Sequence, residues 1–224
     1  MPFPVIEIVD AADLEPLNAL VDRLHEFNVA IFISPNAANK AVNLICARRT
    51  LPPGLAIAAV GHATVSALRS RGVDEVLAPA RNFDSEALLA LPALEDVAGK
   101  RVVIFRGEGG RELLGDTLIA RGAQVEYAEC YRRVRPRLDP APLLEAWARD
   151  ELHAVVVTSS EGVNNLLEMI GPTGAVRLVA TPVFVPHARI ADTASMQGLT
   201  RVVTTPAGDE GIVAGLCAYF SSCT

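Results

Sequence analysis

The chain repeats itself at nearly one offset, which points to a fold built twice. The segment from Ala30, AIFISPNAANKAV, and the segment from Val155, VVVTSSEGVNNLL, each pass from a β-branched run through a short polar turn into a helical pattern, and Ser34 aligns with Ser159 at an offset of 125. Val60-Gly-His-Ala and Val185-Pro-His-Ala match at the same offset of 125, bringing His62 onto His187. Asp84-Ser-Glu-Ala-Leu-Leu resembles Gly208-Asp-Glu-Gly-Ile-Val, with Glu86 and Glu210 separated by 124. Three blocks in register indicate a duplicated half. Strands alternate with helices in both copies, which predicts parallel sheets with right-handed crossovers. Aromatic residues are only 5% of the chain, so the cores rest on Ala, Val, Leu and Ile, as suits parallel strands covered by helices.

The offset also predicts domain organisation. Counted back by 125, Glu129–Arg133 falls on residues 4–8, Pro4-Val-Ile-Glu-Ile, and Arg101 falls at −24. The expected architecture is α/β: two flavodoxin-like parallel-sheet domains, residues 9–128 and 138–224, joined by a two-strand β-ladder hinge from residues 1–8 and 129–137. The second domain lacks its N-terminal strand–helix unit, whose place lies before Met1, so the Val155–Thr158 strand is left with an unpaired apolar edge. Strands are expected at Pro4–Ile8, Ala30–Ser34, Ala56–Gly61, Glu75–Ala78, Val102–Arg106, Gln124–Tyr131, Val155–Thr158, Pro182–Pro186 and Val202–Thr205. Helices are expected at Ala12–Phe27, Asn36–Arg48, Ala63–Arg71, Ser85–Leu91 capped by Asp84, Arg111–Arg121, Leu143–Asp150, Gly162–Ile170, Arg189–Met196 and Glu210–Phe220. Arg132–Pro140 reads as a connector.

A net charge of −6 and a pI near 5.3 argue against a duplex-binding surface. Cys46, Cys130, Cys217 and Cys223 form no C-x-x-C pair, which fits a reducing compartment. Met1-Pro-Phe-Pro lacks a signal-peptide pattern, and no apolar run reaches membrane-spanning length, so a cytoplasmic location is expected. His25, His62, His153 and His187 have no metal-ligand spacing, and no Gly-x-Ser-x-Gly elbow occurs. Neither metal nor cofactor is expected. A reaction driven by positioning a reactive substrate fits this scarcity of acid–base groups.

Ligands of open parallel sheets bind beyond the carboxyl ends of the strands. The turns there hold Ser34, Pro35 and Asn36; His62, Ala63 and Thr64; Arg106 and Gly107; Ser159 and Ser160; and His187 and Arg189. Each turn opens a helix whose first N–H groups carry partial positive charge and suit carboxylates. The same Ser, Thr and Asn residues also serve as ordinary N-caps. Arg111 reads equally as part of an anion-holding turn or as a solvated helix residue. Tyr131 ends a strand at the hinge. It reads either as a hydrogen-bond donor facing a cleft or as a packing residue.

In order along the chain, Ile33-Ser-Pro-Asn-Ala, Val60-Gly-His-Ala-Thr, Phe83-Asp-Ser-Glu-Ala-Leu-Leu, Phe105-Arg-Gly-Glu-Gly-Gly-Arg, Glu129-Cys-Tyr-Arg-Arg, Val157-Thr-Ser-Ser-Glu-Gly, Val185-Pro-His-Ala-Arg and Thr204-Thr-Pro resemble the uroporphyrinogen-III synthases. The resemblance implies two flavodoxin-like domains around a cleft that binds hydroxymethylbilane, acting as a monomer without cofactor, nucleic acid or membrane. Members usually begin with a strand ending in Thr-Arg-Pro and a helix, which here would precede Pro4-Val-Ile-Glu-Ile. Tyr131 matches the family tyrosine that assists departure of the substrate hydroxyl. Ser34, Thr64 and Ser159 match hydroxyl positions lining the cleft, and Arg189 stands where members often carry threonine. The acidic substrate then meets helix N-termini, not a basic surface. Two similar lobes about a hinge also describe small-molecule binding proteins, and a late start also describes an inactive homologue with an interaction role.

Overall fold

The computed structural model describes residues 1–81, 84–110 and 112–221. Phe83, Arg111 and Cys223 lie outside the described residues. The chain forms two compact units, one of Ile8–Val134 and one of Met1–Glu7 with the residues from Arg135 onward.

In the unit Ile8–Val134 the elements are β1 (Glu7–Asp10, which straddles the boundary), α1 (Glu15–Asp22), β2 (Val29–Phe32), α2 (Pro35–Arg48), β3 (Ala56–Ala59), α3 (His62–Arg69), α4 (Ser85–Leu89), α5 (Pro92–Glu95), β4 (Arg101–Gly107), α6 (Leu113–Ala120) and β5 (Gln124–Val134). The sheet order is β1-β5-β4-β2-β3, and the β2–β3, β2–β4 and β4–β5 pairs are parallel. Alternating side chains cover both faces. Ala30, Phe32, Val103 and Phe105 meet Leu17, Leu20, Ala41, Val42, Ile45 and Leu68 from α1, α2 and α3. Val29, Ile31, Val102 and Ile104 meet Leu88, Leu94, Leu114 and Leu118 from α4, α5 and α6. Burial on both faces is why β2 and β4 read as unbroken apolar runs. Phe32 and Phe105 stack across the central pair with centroids 4.8 Å apart.

The second unit holds α7 (Ala141–Ala148), β6 (Val155–Val156), α8 (Ser160–Ala180), β7 (Val183–Val185), α9 (Ala188–Met196), β8 (Val202–Thr204) and α10 (Gly208–Ser221). Its strands are parallel in the order β6-β7-β8. One face packs Val183 and Val185 with Trp147, Val163, Leu166, Ile170, Leu178, Ile190 and Ala194. Phe184 meets Tyr219 of α10 edge to face at 5.4 Å. The bridge Ala58↔Leu77 in one unit and the pair Val183↔Val202 in the other are related by 125 at both positions, 58 to 183 and 77 to 202. The repeat seen in the sequence is thus a repeat of strand pairing. Where β2 has neighbours on both sides, β6 has only β7 among the described residues. Its other side opens on a groove of about 490 Å³ lined by Phe3, Val5, Trp147, Val155, Val157 and Gly162.

Several expected boundaries move. The first strand spans Glu7–Asp10, not Pro4–Ile8, because Pro2 and Pro4 offer no N–H to a ladder. The helix expected over Ala12–Phe27 is confined to Glu15–Asp22, opened by Pro16 and followed by a 3₁₀ turn over Leu24–Glu26. Glu75–Ala78 reduces to the Ala58↔Leu77 bridge, since Pro79 cannot extend the ladder. Arg132–Val134 belongs to β5 and not to a connector; the strand runs on until Pro136 approaches. The helix expected to end at Ile170 resumes after a kink at Gly171 (φ +63°), with Pro172 opening the second segment to Ala180. Asp84 caps α4 as expected, its carboxylate accepting the Ala87 N–H at 2.8 Å.

Candidate active site

In the unit Ile8–Val134, β2 and β4 sit side by side at the centre of the sheet. The chain leaves β2 towards β3 on one side and reaches β5 from β4 on the other. Such a switch in direction opens a crevice beyond the carboxyl ends of the two strands. Ser34, one residue past Ile33, is the N-cap of α2. Its backbone is extended (φ −155°, ψ 158°), and its Oγ accepts the Ala37 N–H at 3.1 Å. The Tyr131 Oη lies 3.0 Å from this same oxygen. Tyr131 is only 6% exposed, so its hydroxyl acts among fixed protein groups and not in bulk water.

The proton pattern matters here. Ser34 Oγ already accepts from Ala37, and its own proton is free to be donated to Tyr131 Oη. Either hydroxyl can donate across this contact, and with Ser34 as the donor the phenol proton is left for another acceptor. Pro35 and Asn36 are exposed in the first turn of α2. His62 and Ala63 are exposed in the first turn of α3, while Thr64 is 2% exposed. Because β2 and β3 run in parallel register from Val29↔Ala56 to Phe32↔Ala59, these two helix starts share one edge of the sheet.

Arg106, expected in a substrate-binding turn, lies near the end of β4. It is 6% exposed and is drawn inward by protein groups. Its guanidinium donates to Glu112 Oε1 at 3.1 and 3.2 Å, lies 3.6 Å from Glu129 through Nε, and sits 4.2 Å from the Tyr127 ring centre. Hydrogen bonding from Tyr127, then from Arg106, holds the Glu112 carboxyl below its ordinary range. Burial first, then Glu112, pushes the Tyr127 phenol up to about 12. Sequence reasoning missed Glu112, Tyr127 and Glu129. The available signal was the alternation of Tyr127 and Glu129 along a strand facing a buried arginine. Cys130 is also buried, and desolvation raises its thiol to about 12, so it stays protonated and inert.

In the other unit, Ser159 is the N-cap of α8, accepting the Gly162 N–H at 2.9 Å. Ser160 Oγ accepts from Thr193 Oγ1 at 2.9 Å. His187 occupies the N-cap position of α9 without a side-chain cap, and Arg189 is exposed in the first turn. These four residues lie at the carboxyl ends of β6 and β7. Among the described residues no group of three or more His, Cys, Asp or Glu side chains could hold a metal ion, and no helix is long and apolar enough to cross a membrane.

The family profile described as uroporphyrinogen-III synthase HemD matches residues 1–214. Uroporphyrinogen-III synthase of Escherichia coli (strain K12) is 38% identical over 169 residues, 75% of this chain and 69% of that protein. A crystal structure of a mutant uroporphyrinogen III synthase of the extremely thermophilic bacterium Thermus thermophilus is similar at a TM-score of 0.60 and 19% identity, over 99% of this chain and 88% of that one. The structure of uroporphyrinogen-III synthetase from Helicobacter pylori 26695 gives 0.58 at 16% identity, over 97% of this chain and 91% of that one. The two structures speak to the α/β fold, and the profile and the sequence identity speak to kinship: this chain belongs to the uroporphyrinogen-III synthase family.

Proposed function

We propose that this chain closes hydroxymethylbilane to uroporphyrinogen III, inverting ring D and releasing water. One observation carries the reading: in a chain of this family, a buried tyrosine and an N-cap serine share a hydrogen bond of 3.0 Å at the switch point of a parallel sheet. Tyr131 donates its proton to the substrate hydroxyl as the C–O bond breaks, giving water and an azafulvene-type cation. Ser34 stabilises the phenolate. The substituted carbon of ring D attacks the cation to form a spiro intermediate, and cleavage and rejoining close the macrocycle. The hydrogen lost from the pyrrole carbon at closure restores the phenol, so the protein ends unchanged. A positioned general acid contributes roughly 10²–10⁴-fold. Holding the two ends of the bilane together supplies the rest.

The starts of α2, α3, α8 and α9, with Ser34, Pro35, Asn36, His62, Ala63, Thr64, Ser159, Ser160, His187 and Arg189, and the end of β4, with Arg106 and Gly107, are read as the substrate-binding positions. Helix N-termini bind anions without a basic surface, which reconciles a net charge of −6 with an acidic substrate. The finer architecture belongs to the same reading: flavodoxin-like lobes of residues 9–128 and 138–224, hinged by 1–8 and 129–137. The β6 edge is then the place of a strand equivalent to β4. The protein is read as a cytoplasmic monomer that needs no cofactor.

The test is incubation with hydroxymethylbilane followed by separation of the uroporphyrinogen isomers. Type I forms spontaneously. Excess type III over the protein-free control is the expected result, and type I alone would overturn the proposal.

A further inference from the structure

We infer that the bulge between Arg106 and Gly107, with the bare backbone of Gly107, aims Tyr131 at Ser34, making Gly107 a positioning residue for the phenol. The inference rests on the role given to Tyr131 above. Side chains alternate along a strand, so Tyr127, Glu129 and Tyr131 would share one face of a regular β5. Tyr127 does pack on the α6 face, with Ile104 and Leu114. Ala128 and Cys130 pack on the opposite face, with Phe105. Tyr131 nevertheless belongs to the Ala128 and Cys130 face.

The register explains the switch. Arg106 pairs with Glu129, but the next residue, Gly107, pairs with Tyr131, so Cys130 is an extra residue on β5. A bulge of this kind re-aims the side chain that follows it. Tyr131 is thereby turned to the face where Ser34 begins α2. The Tyr131 carbonyl accepts the Glu108 N–H at 2.7 Å, which fixes the backbone after the bulge.

Gly107 then shapes the seat of the ring. A Cβ there would stand 2.6 Å from both Cε2 and Cζ of Tyr131 and 3.1 Å from its Oη. No side chain fits without displacing the phenol. The demand is for space, since Gly107 is not among the glycines with positive φ. Arg106, tied to Glu112 and Glu129, holds the strand end against which the ring rests.

The experiment is a pair of mutant cycles. In the first, Gly107→Ala lowers kcat for type III product by about tenfold or more, leaves KM within about twofold, and adds no further loss in a Tyr131→Phe chain, as expected for residues acting as one unit. In the second, Gly107→Ala lowers the melting temperature of the parent but not that of Tyr131→Ala, where the ring is gone; this arm stands even if the single variant folds poorly. A Tyr131→Phe chain as fast as the parent would remove the chemical role of Tyr131 and leave positioning to the melting data. Gly107→Ala costing as much melting temperature without the ring as with it would overturn the inference, as would equal kcat losses in the parent and Tyr131→Phe backgrounds.

Discussion

Ser34 serves two functions through one oxygen, and they can be separated. Its Oγ caps α2 by accepting from Ala37 and faces the Tyr131 hydroxyl at 3.0 Å. Ser34→Ala removes both, so stability falls by about 1 kcal/mol, as for a lost N-cap, and type III production slows. Ser34→Asp retains a good cap but no proton to give, because an ionised carboxylate only accepts. The expected outcome is recovered melting temperature without recovered rate, while Ser34→Thr recovers both. Full activity in the Asp variant would show that Ser34 donates nothing to Tyr131. Tyr131→Phe, isosteric apart from the hydroxyl, should reduce the type III rate by about 10²-fold with little change in melting temperature. Single-turnover product analysis measures it. The serine cap was legible as a strand followed by Ser-Pro-Asn. Its approach to Tyr131 was not, because strict alternation along β5 puts the ring on the wrong face, and only the bulge corrects it.

At the scale of elements, the opposite ends of the central strands are held by an ion network. Glu126 on β5 accepts from Arg23, just after α1, and from Arg101 at 2.8 Å at the start of β4; Arg101 also pairs with Glu26. The Arg101 guanidinium lies 4.8 Å from the Phe27 ring centre. Hydrogen bonds from Arg23, then Arg101, hold the Glu126 carboxyl below its ordinary range against the opposing effect of burial. A depressed folded-state value means that the stabilisation is complete above the unfolded value of about 4.3 and is lost as pH falls below it. Glu126→Gln should therefore lower stability modestly at pH 7, by about 1 kcal/mol or less, with a small fall in melting temperature. It should also flatten the loss of stability in acid, and melting curves from pH 7 down to about 3 check both effects. A variant with the parent's acid profile would mean that Glu126 does not drive that loss. Most elements were legible because their causes are local: paired apolar runs for β2 and β4, Asp84 for α4, Ser159 for α8. The misreadings had distant causes. Gly171-Pro172 looks like a stop, yet the chain resumes as helix because Leu178 finds a buried seat beyond it. The basic run after Tyr131 looks like a linker, yet Arg132–Val134 continue β5.

At the scale of the whole molecule, the duplication was legible because it preserves both pattern and spacing, and the equivalent pairs Ala58↔Leu77 and Val183↔Val202 share the offset of 125. The two units nevertheless differ in what holds them. One has a five-stranded sheet covered on both faces, and the other a three-stranded sheet whose β6 edge opens on a groove. Fewer ladder bonds and an uncovered apolar edge make the smaller sheet the weaker one. Trp147 reports on it alone. It is the chain's single tryptophan, it lines that groove, and its Nε1 donates to Thr181 Oγ1 at 3.0 Å. Its fluorescence follows the smaller unit, whereas far-UV circular dichroism follows both. In urea, the fluorescence midpoint should precede the dominant midpoint by circular dichroism, and coincident midpoints would mean that the units unfold together. A chain extended upstream by a strand that pairs with β6 should raise the fluorescence midpoint and leave the later transition in place, because the added ladder closes the weaker sheet and no other. If the fluorescence midpoint does not move, the added residues are not seated on β6, and the proposal that its edge receives a fourth strand fails even if the larger sheet and its tyrosine behave as expected.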